Sequence, residues 1–401
     1  MSRPAPQPSA LLLGFLAAYI AAGPAATQLM LPALPALQET FGAGVSTVQL
    51  AVSLSFLAMA VATLAWGPAS DRFGRRPVAI AGLGVFIAGS VLCWLAPTLP
   101  VLILGRVVQA AGAASGATAR AIVQDVYGTA GAVRALSIVG MAMALAPMAA
   151  AVAGGLVTDA FGWRANFIGI AAIGVVMLAV TLVTLRESRP DVGPARAGTW
   201  APLRQPMFQL YALQSALSMG AFFAFIAGAP HMIVTVLELP ASAYGLVFIA
   251  GGIGYAVGGL LSARFGARIG IDRMVLAGAS VAALASLVMT LLLVGGWWHL
   301  WAIAVPCGFV GLGIGVVQPN AQAGAIAAVP EAAGAASGTL SFLQLLTGAA
   351  VAQAVGVLMT HSALAMPLAV ALLGTATWLI ALPRALGSRP SPGLPDTAPP
   401  R

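Results

Sequence analysis

Long apolar runs, broken at regular intervals by Gly, Pro or charge, fill the chain from Ala10 almost to its end. The breaks predict twelve helices near residues 10–37, 46–68, 77–96, 99–126, 132–158, 164–185, 206–236, 241–263, 272–295, 297–322, 331–358 and 362–383. Each has at least the roughly 20 residues that a helix needs to cross a bilayer. The first run is too long for the apolar region of a signal peptide and many like it follow, so it reads as the first span. The one substantial polar connection, 186–205, holds four Arg, three Pro and two Gly. It divides the chain into six-helix halves at 10–185 and 206–385. The Pro-rich ends, 1–9 and 386–401, are expected to be disordered cytoplasmic tails.

Composition removes the soluble alternatives. Apolar residues make up 60% of the chain and charged ones 7%, whereas a water-facing surface takes roughly a quarter. The bilayer is therefore the expected solvent. The formal net charge is +8, and all eighteen cations are Arg. They do not interleave with aromatics as in a nucleic-acid surface. With both termini cytoplasmic, fifteen fall on the cytoplasmic side and one, Arg164, on the other; Arg106 and Arg120 lie within the fourth span. The chain is thus expected to cross a membrane many times. Cys93 and Cys307 lie inside apolar runs without metal-ligand spacing, so neither a disulfide nor a metal site is expected. No cofactor is implied.

The halves repeat weakly. Ser70-Asp-Arg-Phe-Gly-Arg-Arg76 after the second helix recurs 192 residues later as Ser262-Ala-Arg-Phe-Gly-Ala-Arg268 after the eighth. Two six-helix repeats predict a transporter with its substrate site between them. An intramembrane enzyme finds no support, since the chain has no His-Glu-x-x-His, no nucleophilic Ser with a paired base and no embedded Asp pair. A receptor or channel gives no reason for the repeat.

Gly67-Pro-Ala-Ser-Asp71-Arg72-Phe-Gly74-Arg75-Arg76-Pro77 resembles the cytoplasmic loop signature of the major facilitator superfamily. Further stretches are similar to its bicyclomycin and chloramphenicol resistance (Bcr/CflA) drug-efflux branch. They are Leu31-Pro-Ala-Leu-Pro35, Arg106-Val-Val-Gln109, Arg120-Ala-Ile-Val-Gln-Asp125, Pro147 with Gly154-Gly155, Gly162-Trp163-Arg164-Ala-Asn-Phe167 and Gln318-Pro319-Asn320-Ala321. The resemblance covers about residues 10–385. It implies an all-α membrane protein of twelve spans in two pseudo-symmetric halves, exporting drugs or other small amphipathic molecules in exchange for protons. A monomer suffices for that task.

In the loop after the second helix, Gly67 and Gly74 supply turns, and Arg72, Arg75 and Arg76 supply cations. Asp71 can sit near a partner helix N-terminus, and Arg75 can reach Asp125 at the end of the fourth helix. These contacts are expected to latch the outward-facing state. Arg106 must face the bundle interior, because a guanidinium in lipid costs at least a few kcal/mol without partners. The resemblance assigns Arg106 and Gln109 to proton coupling. It assigns Pro147, Gly154 and Gly155 to the antiporter motif, where small residues let helices approach closely. A second Pro usual in the branch is replaced here by Ala151. Gly112-Ala-Ala-Ser-Gly116 and Gly334-Ala-Ala-Ser-Gly338 read as packing faces.

One departure bears on mechanism. The branch usually carries an Asp in the first helix after Thr, where this chain has Thr27-Gln28. Gln has no ionisable proton, and all ten acidic residues fall in loops, tails or helix ends. Three explanations stay open: coupling through Asp71, Asp125 or His231; an uncoupled or differently coupled carrier of a native metabolite; or a helix register other than the one read here. The central cavity is expected to be lined by Gln28, Met30, Phe56, Met141, Phe222, Phe225, Tyr255, Gln318, Asn320 and Gln344. Met and aromatic side chains form an adaptable apolar wall, while amides orient a polar group. A cavity without an acid favours neutral, zwitterionic or anionic solutes.

Overall fold

In a bilayer no water satisfies the backbone, so each spanning segment must hydrogen-bond within itself. The computed structural model of the chain describes residues 10–188 and 200–387. The expected tail at 1–9, most of the linker and the chain from 388 onward lie outside the described residues. Among the described residues, twelve helices are long and apolar enough to span. They are α1 Leu11–Phe41, α2 Val45–Phe73, α3 Arg75–Trp94, α4 Leu99–Tyr127, α5 Ile138–Phe161, α6 Trp163–Thr184, α7 Pro206–Val236, α8 Ser242–Ile269, α9 Ile271–Val294, α10 Leu300–Ala327, α11 Pro330–Leu358 and α12 Ala365–Gly387.

Breaks within the spans follow local chemistry. Pro32 cannot donate to the carbonyl four residues back, and α1 passes through a 3-10 turn at Leu31–Ala33. In α4 the small residues Ala114–Ala117 form another 3-10 turn, tightening the helix where Gly116 meets the Tyr19 carbonyl of α1. A π turn at Met232–Val236 ends α7, just after Pro230 and His231. Interior hydroxyls turn back on their own helices. Thr27 donates to Gly23, Ser55 to Ala51, Ser90 to Phe86 and Thr377 to Leu373.

The expected loop near residues 127–131 is absent as such. Helical hydrogen bonding continues from Thr118 to Phe161. Even so, Arg120 Nη2 lies 3.6 Å from Met143 Sδ, whereas a straight helix would separate them by roughly 34 Å. The chain therefore reverses direction within a stretch whose residues stay helical, and no extended loop separates α4 from α5. The repeated loop motif also shifts. Gly74 ends α2 at φ +103°, but the matching break after α8 is Gly270 at φ +88°, one turn beyond the Gly266 that the repeat aligns with Gly74. Only the break must take a left-handed backbone, and glycine occupies it at both junctions.

Glycines set the spacing between helices. A Cβ on Gly254 would lie 1.8 Å from the Gly308 carbonyl oxygen, and one on Gly258 2.1 Å from that of Leu312, so α8 and α10 touch backbone to backbone. In the first half, Gly112 meets Phe86 and Gly116 meets Tyr19, as a packing face should. The second expected face is corrected: a Cβ on Gly334 or Gly338 would find nothing within 4 Å.

That gap belongs to a larger asymmetry. The halves join through α2 with α11 and α5 with α8, toward the end opposite the arginine-rich loops. There Ser53 Oγ donates to Gln353 Oε1 at 2.8 Å, Gln353 Nε2 donates to the Ser46 carbonyl, and Gly356 packs on Gln49. Beside them Gly155 meets Ser242 and Gly245 meets Val152. Toward the arginine-rich end α2 becomes largely exposed beyond Ala60, and Gly67 has nothing within 4 Å of a Cβ. A cleft between the halves therefore opens at the arginine-rich end.

The α8–α10 contact gives a stability test. Gly254→Ala is expected to lower the melting temperature of the solubilised protein by overpacking worth about 1–3 kcal/mol, despite the better helix propensity of Ala. Gly259→Ala, with nothing within 4 Å, should leave it unchanged or raise it.

Candidate functional site

At the arginine-rich end, the α2–α3 turn gathers charges from four parts of the first half. Arg75 Nη1 donates to Asp71 Oδ1 at 2.6 Å and to Ser70 Oγ, and its Nε donates to Asp125 Oδ2 at 3.2 Å. Arg75 thereby ties α3 to the ends of α2 and α4. Glu187, beyond α6, accepts from the backbone N–H of Arg75 at 2.8 Å and of Arg76 at 3.3 Å. Its carboxylate sits on the N-terminus of α3, where the helix dipole favours an anion. A Cβ on Gly74 would come within 2.5 Å of Glu187 Oε2, so this glycine serves both the turn and the carboxylate. Arg76 Nη2 donates to the Leu182 carbonyl, and the Arg72 guanidinium lies 5.3 Å from the Phe73 ring.

Every partner of the Arg75 side chain named here belongs to the first half, and the contacts are made while the cleft at this end is open. They brace one half internally. The second half holds its counterpart with the charges exchanged: Asp272 at the start of α9 accepts from Arg384 of α12 at 3.2 and 3.3 Å and from the Tyr211 hydroxyl at 2.8 Å.

Deep in the first half, Arg106 is 1% exposed. Its Nη1 donates to Gln109 Oε1, Gln109 Nε2 donates to Ser90 Oγ at 2.8 Å, and Ser90 donates to the Phe86 carbonyl. Arg106 Nε and Nη2 have no hydrogen-bond partner among the described residues. The side chain borders a cavity with room for about one water, which Thr27, Ser55, Phe56, Met59 and Gln109 also line.

The second half presents an amide network instead. Ser215 of α7 donates to Gln318 Oε1 at 2.8 Å, and Gln318 Nε2 returns a bond to the Ser215 carbonyl. Gln344 of α11 donates to Ser215 Oγ at 2.7 Å and to Gln318 at 3.2 Å. Gln318 and Gln344 are thus brought together. Asn320 points elsewhere, donating to Ser262 of α8 and to the Val316 carbonyl.

The other expected lining residues divide by position. Phe56 meets Phe223 across the halves at 4.6 Å between ring centroids, and Phe222 packs on Phe223 and Phe248. Phe225 and Met30 are buried in the core. Gln28 accepts from the Tyr244 hydroxyl at 2.9 Å, joining α1 to α8. Met141 and Tyr255 are exposed, on α5 and α8 below the contacts that join those helices. Pro147 is buried inside α5. Gly154 packs on the Leu29 backbone of α1 and Gly155 on Ser242 of α8.

Two features escaped the sequence reading. One is Glu187, which lies more than a hundred residues from the helix start it caps. The other is Asp159 near the end of α5, whose two oxygens accept from the N–H groups of Ala241 and Ser242 at 3.0 Å each. It caps the start of α8 across the halves. Neither position belongs to a motif that announces its partner. The remaining carboxylates among the described residues also sit at or beyond span ends, so no acid borders the interior. His231 lies at the far end of α7, its Nδ1 buried without a partner among the described residues. Nor do three metal-ligating side chains gather anywhere among those residues.

Comparison with known proteins meets this geometry over most of the chain. The chain is 27% identical over 359 residues to the uncharacterized MFS-type transporter YdgK of Bacillus subtilis, covering 87% of this chain and 88% of that one. It is 27% identical over 328 residues to the multidrug resistance protein MdtL of Escherichia coli, covering 80% and 82%. In fold it resembles a bacterial homolog of the human lysosomal transporter Spinster, solved in an inward-facing and unoccupied conformation. The TM-score is 0.71 at 19% identity, over 94% of this chain and 95% of that one. A model of the Major Facilitator Superfamily matches residues 11–353, and the chain, with its twelve spans in two six-helix halves, belongs to that family of transporters.

Proposed function

We propose that this protein exports drugs or other small amphipathic molecules across a bacterial inner membrane by alternating access, in exchange for protons. The observation that carries the reading is the one-sided closure of the halves. Their polar contacts gather at one end, while α2 becomes exposed at the other. With the arginine-rich end cytoplasmic, as the positive-inside rule directs, this is an inward-open state ready to load solute. The likeness to MdtL supports drugs as the solute class, and the motifs shared with the Bcr/CflA branch support the same.

In this reading Asp159, Gln28 and Gln353 close the outer side, and each loses a partner when the halves rock apart there. The arrangement around Arg75 with Gly67, Asp71, Arg72, Gly74, Arg76 and Asp125 keeps the first half rigid during that motion. Proton coupling falls to Asp71, Asp125 or His231, with Arg106 and Gln109 beside the cavity. A second reading, an uncoupled carrier of a native metabolite, is favoured by one specific observation. Gln28 stands where the related branch carries an acid, and it is engaged with Tyr244.

In inverted vesicles under an imposed proton gradient, saturable uptake of an amphipathic antibiotic with matching proton release is expected. Saturable exchange indifferent to the gradient would reject coupling and select the second reading.

The outer closure is tested separately. Asp159→Ala removes a helix cap worth about 0.5–2 kcal/mol. It should speed labelling of an Ala243→Cys variant by a membrane-impermeant maleimide from the outer face by roughly 2- to 30-fold. An unchanged rate would show that the cap does not hold this side shut.

A further inference from the structure

Arg106 raises a question that the transport reading leaves open. A cation buried in the membrane interior without a counter-charge is costly, and it persists where something neutralises it. Among the described residues no carboxylate reaches it. Its Nη1 is held by Gln109, which fixes the plane of the guanidinium. The two donors without a partner, Nε and Nη2, lie along one edge of that plane. This is the pair whose parallel N–H groups match the two oxygens of a carboxylate.

The surroundings suit the same ligand. Thr27 and Ser55 line the cavity, but their hydroxyl protons are spent on carbonyls of their own helices. The nearby amide N–H of Gln109 is directed to Ser90. Arg106 therefore supplies the charged donors, and the remaining wall is apolar, with Phe56, Met59 and Phe86. Phe56 meets Phe223 of the other half, so the cavity reaches the seam between the halves. Met59 is flexible and can yield to a group larger than the present space.

We infer that Arg106 is the anchor for the carboxylate of a transported solute, so that the substrates are amphipathic organic acids. The Nε and Nη2 edge grips the carboxylate, Gln109 and Ser90 position the guanidinium, and the apolar body of the solute lies along Phe56 and Met59 toward the cleft. The inference rests on the proposed transport function and narrows its substrate class.

The test compares 1-naphthoate with its uncharged isostere 1-naphthamide on purified full-length protein at pH 7, by isothermal titration. Naphthoate should bind at least about tenfold more tightly than the amide. Arg106→Gln should remove that preference, and Arg106→Lys, which keeps the charge without the fork, should restore only part of it. Equal binding of acid and amide by the unaltered protein would overturn the inference, and that comparison needs no variant to fold. So would naphthoate binding that survives Arg106→Gln. Sodium chloride provides the other arm. If chloride binds and displaces naphthoate competitively, the site holds a free inorganic anion and the substrate assignment falls. Naphthoate binding without vesicle uptake of naphthoate or any antibiotic would overturn the transport reading, and with it the substrate role, while leaving the anion site. Uptake of neutral amphiphiles without naphthoate binding would overturn this inference alone.

Discussion

A polar group inside a bilayer has no water to fall back on, and that constraint shapes almost every polar contact in this protein. Interior hydroxyls bond to carbonyls of their own helices, as Thr27 and Ser55 do. Amides pair across helices, as Gln318 and Gln344 do around Ser215. Charges retreat to the span ends, where Arg75 and Glu187 brace one half and Asp272 and Arg384 the other. Arg106 departs from this pattern, being fully buried within α4 and only partly satisfied.

The same constraint explains why the halves can separate. Within a half, glycines bring helices into backbone contact, as Gly254 and Gly258 do between α8 and α10. Such faces do not open without losing close packing along their length. Between the halves the polar contacts are few and sit toward one end: Asp159 on the start of α8, Gln353 on Ser53 and Gln28 on Tyr244. Each is a hydrogen bond that water can replace once the halves part at that end. A rigid interior and an exchangeable seam are what rocking of one half against the other requires.

The spans were legible in the sequence because hydropathy acts locally and at the scale of the bilayer. The Arg75 neighbourhood was legible as well, since Asp71 is one turn away and Asp125 ends a neighbouring span. What stayed hidden was whatever depends on how the halves sit together. Gln28 reads as a lining residue, but Tyr244, its partner, lies over two hundred residues on. Glu187 reads as part of a linker, although it caps α3. The loop repeat misplaced the second-half turn because the motif continues as helix to Gly270, where the backbone rather than the sequence likeness marks the junction. Helicity across the α4–α5 reversal was hidden for a related reason: Gly and charge read as a loop even where the residues on either side of the bend stay helical.

The central claim is that the two halves move as bodies about the solute, exchanging closure at one end for closure at the other. Spin-label pairs report this directly: Phe161→Cys with Thr360→Cys at the outer end, and Phe73→Cys with Glu331→Cys at the arginine-rich end. Pulsed dipolar distances in lipid nanodiscs, with and without a transported solute, should change in opposite senses, the outer pair lengthening as the inner pair shortens. Two distances that stay fixed, or that lengthen together, would contradict it.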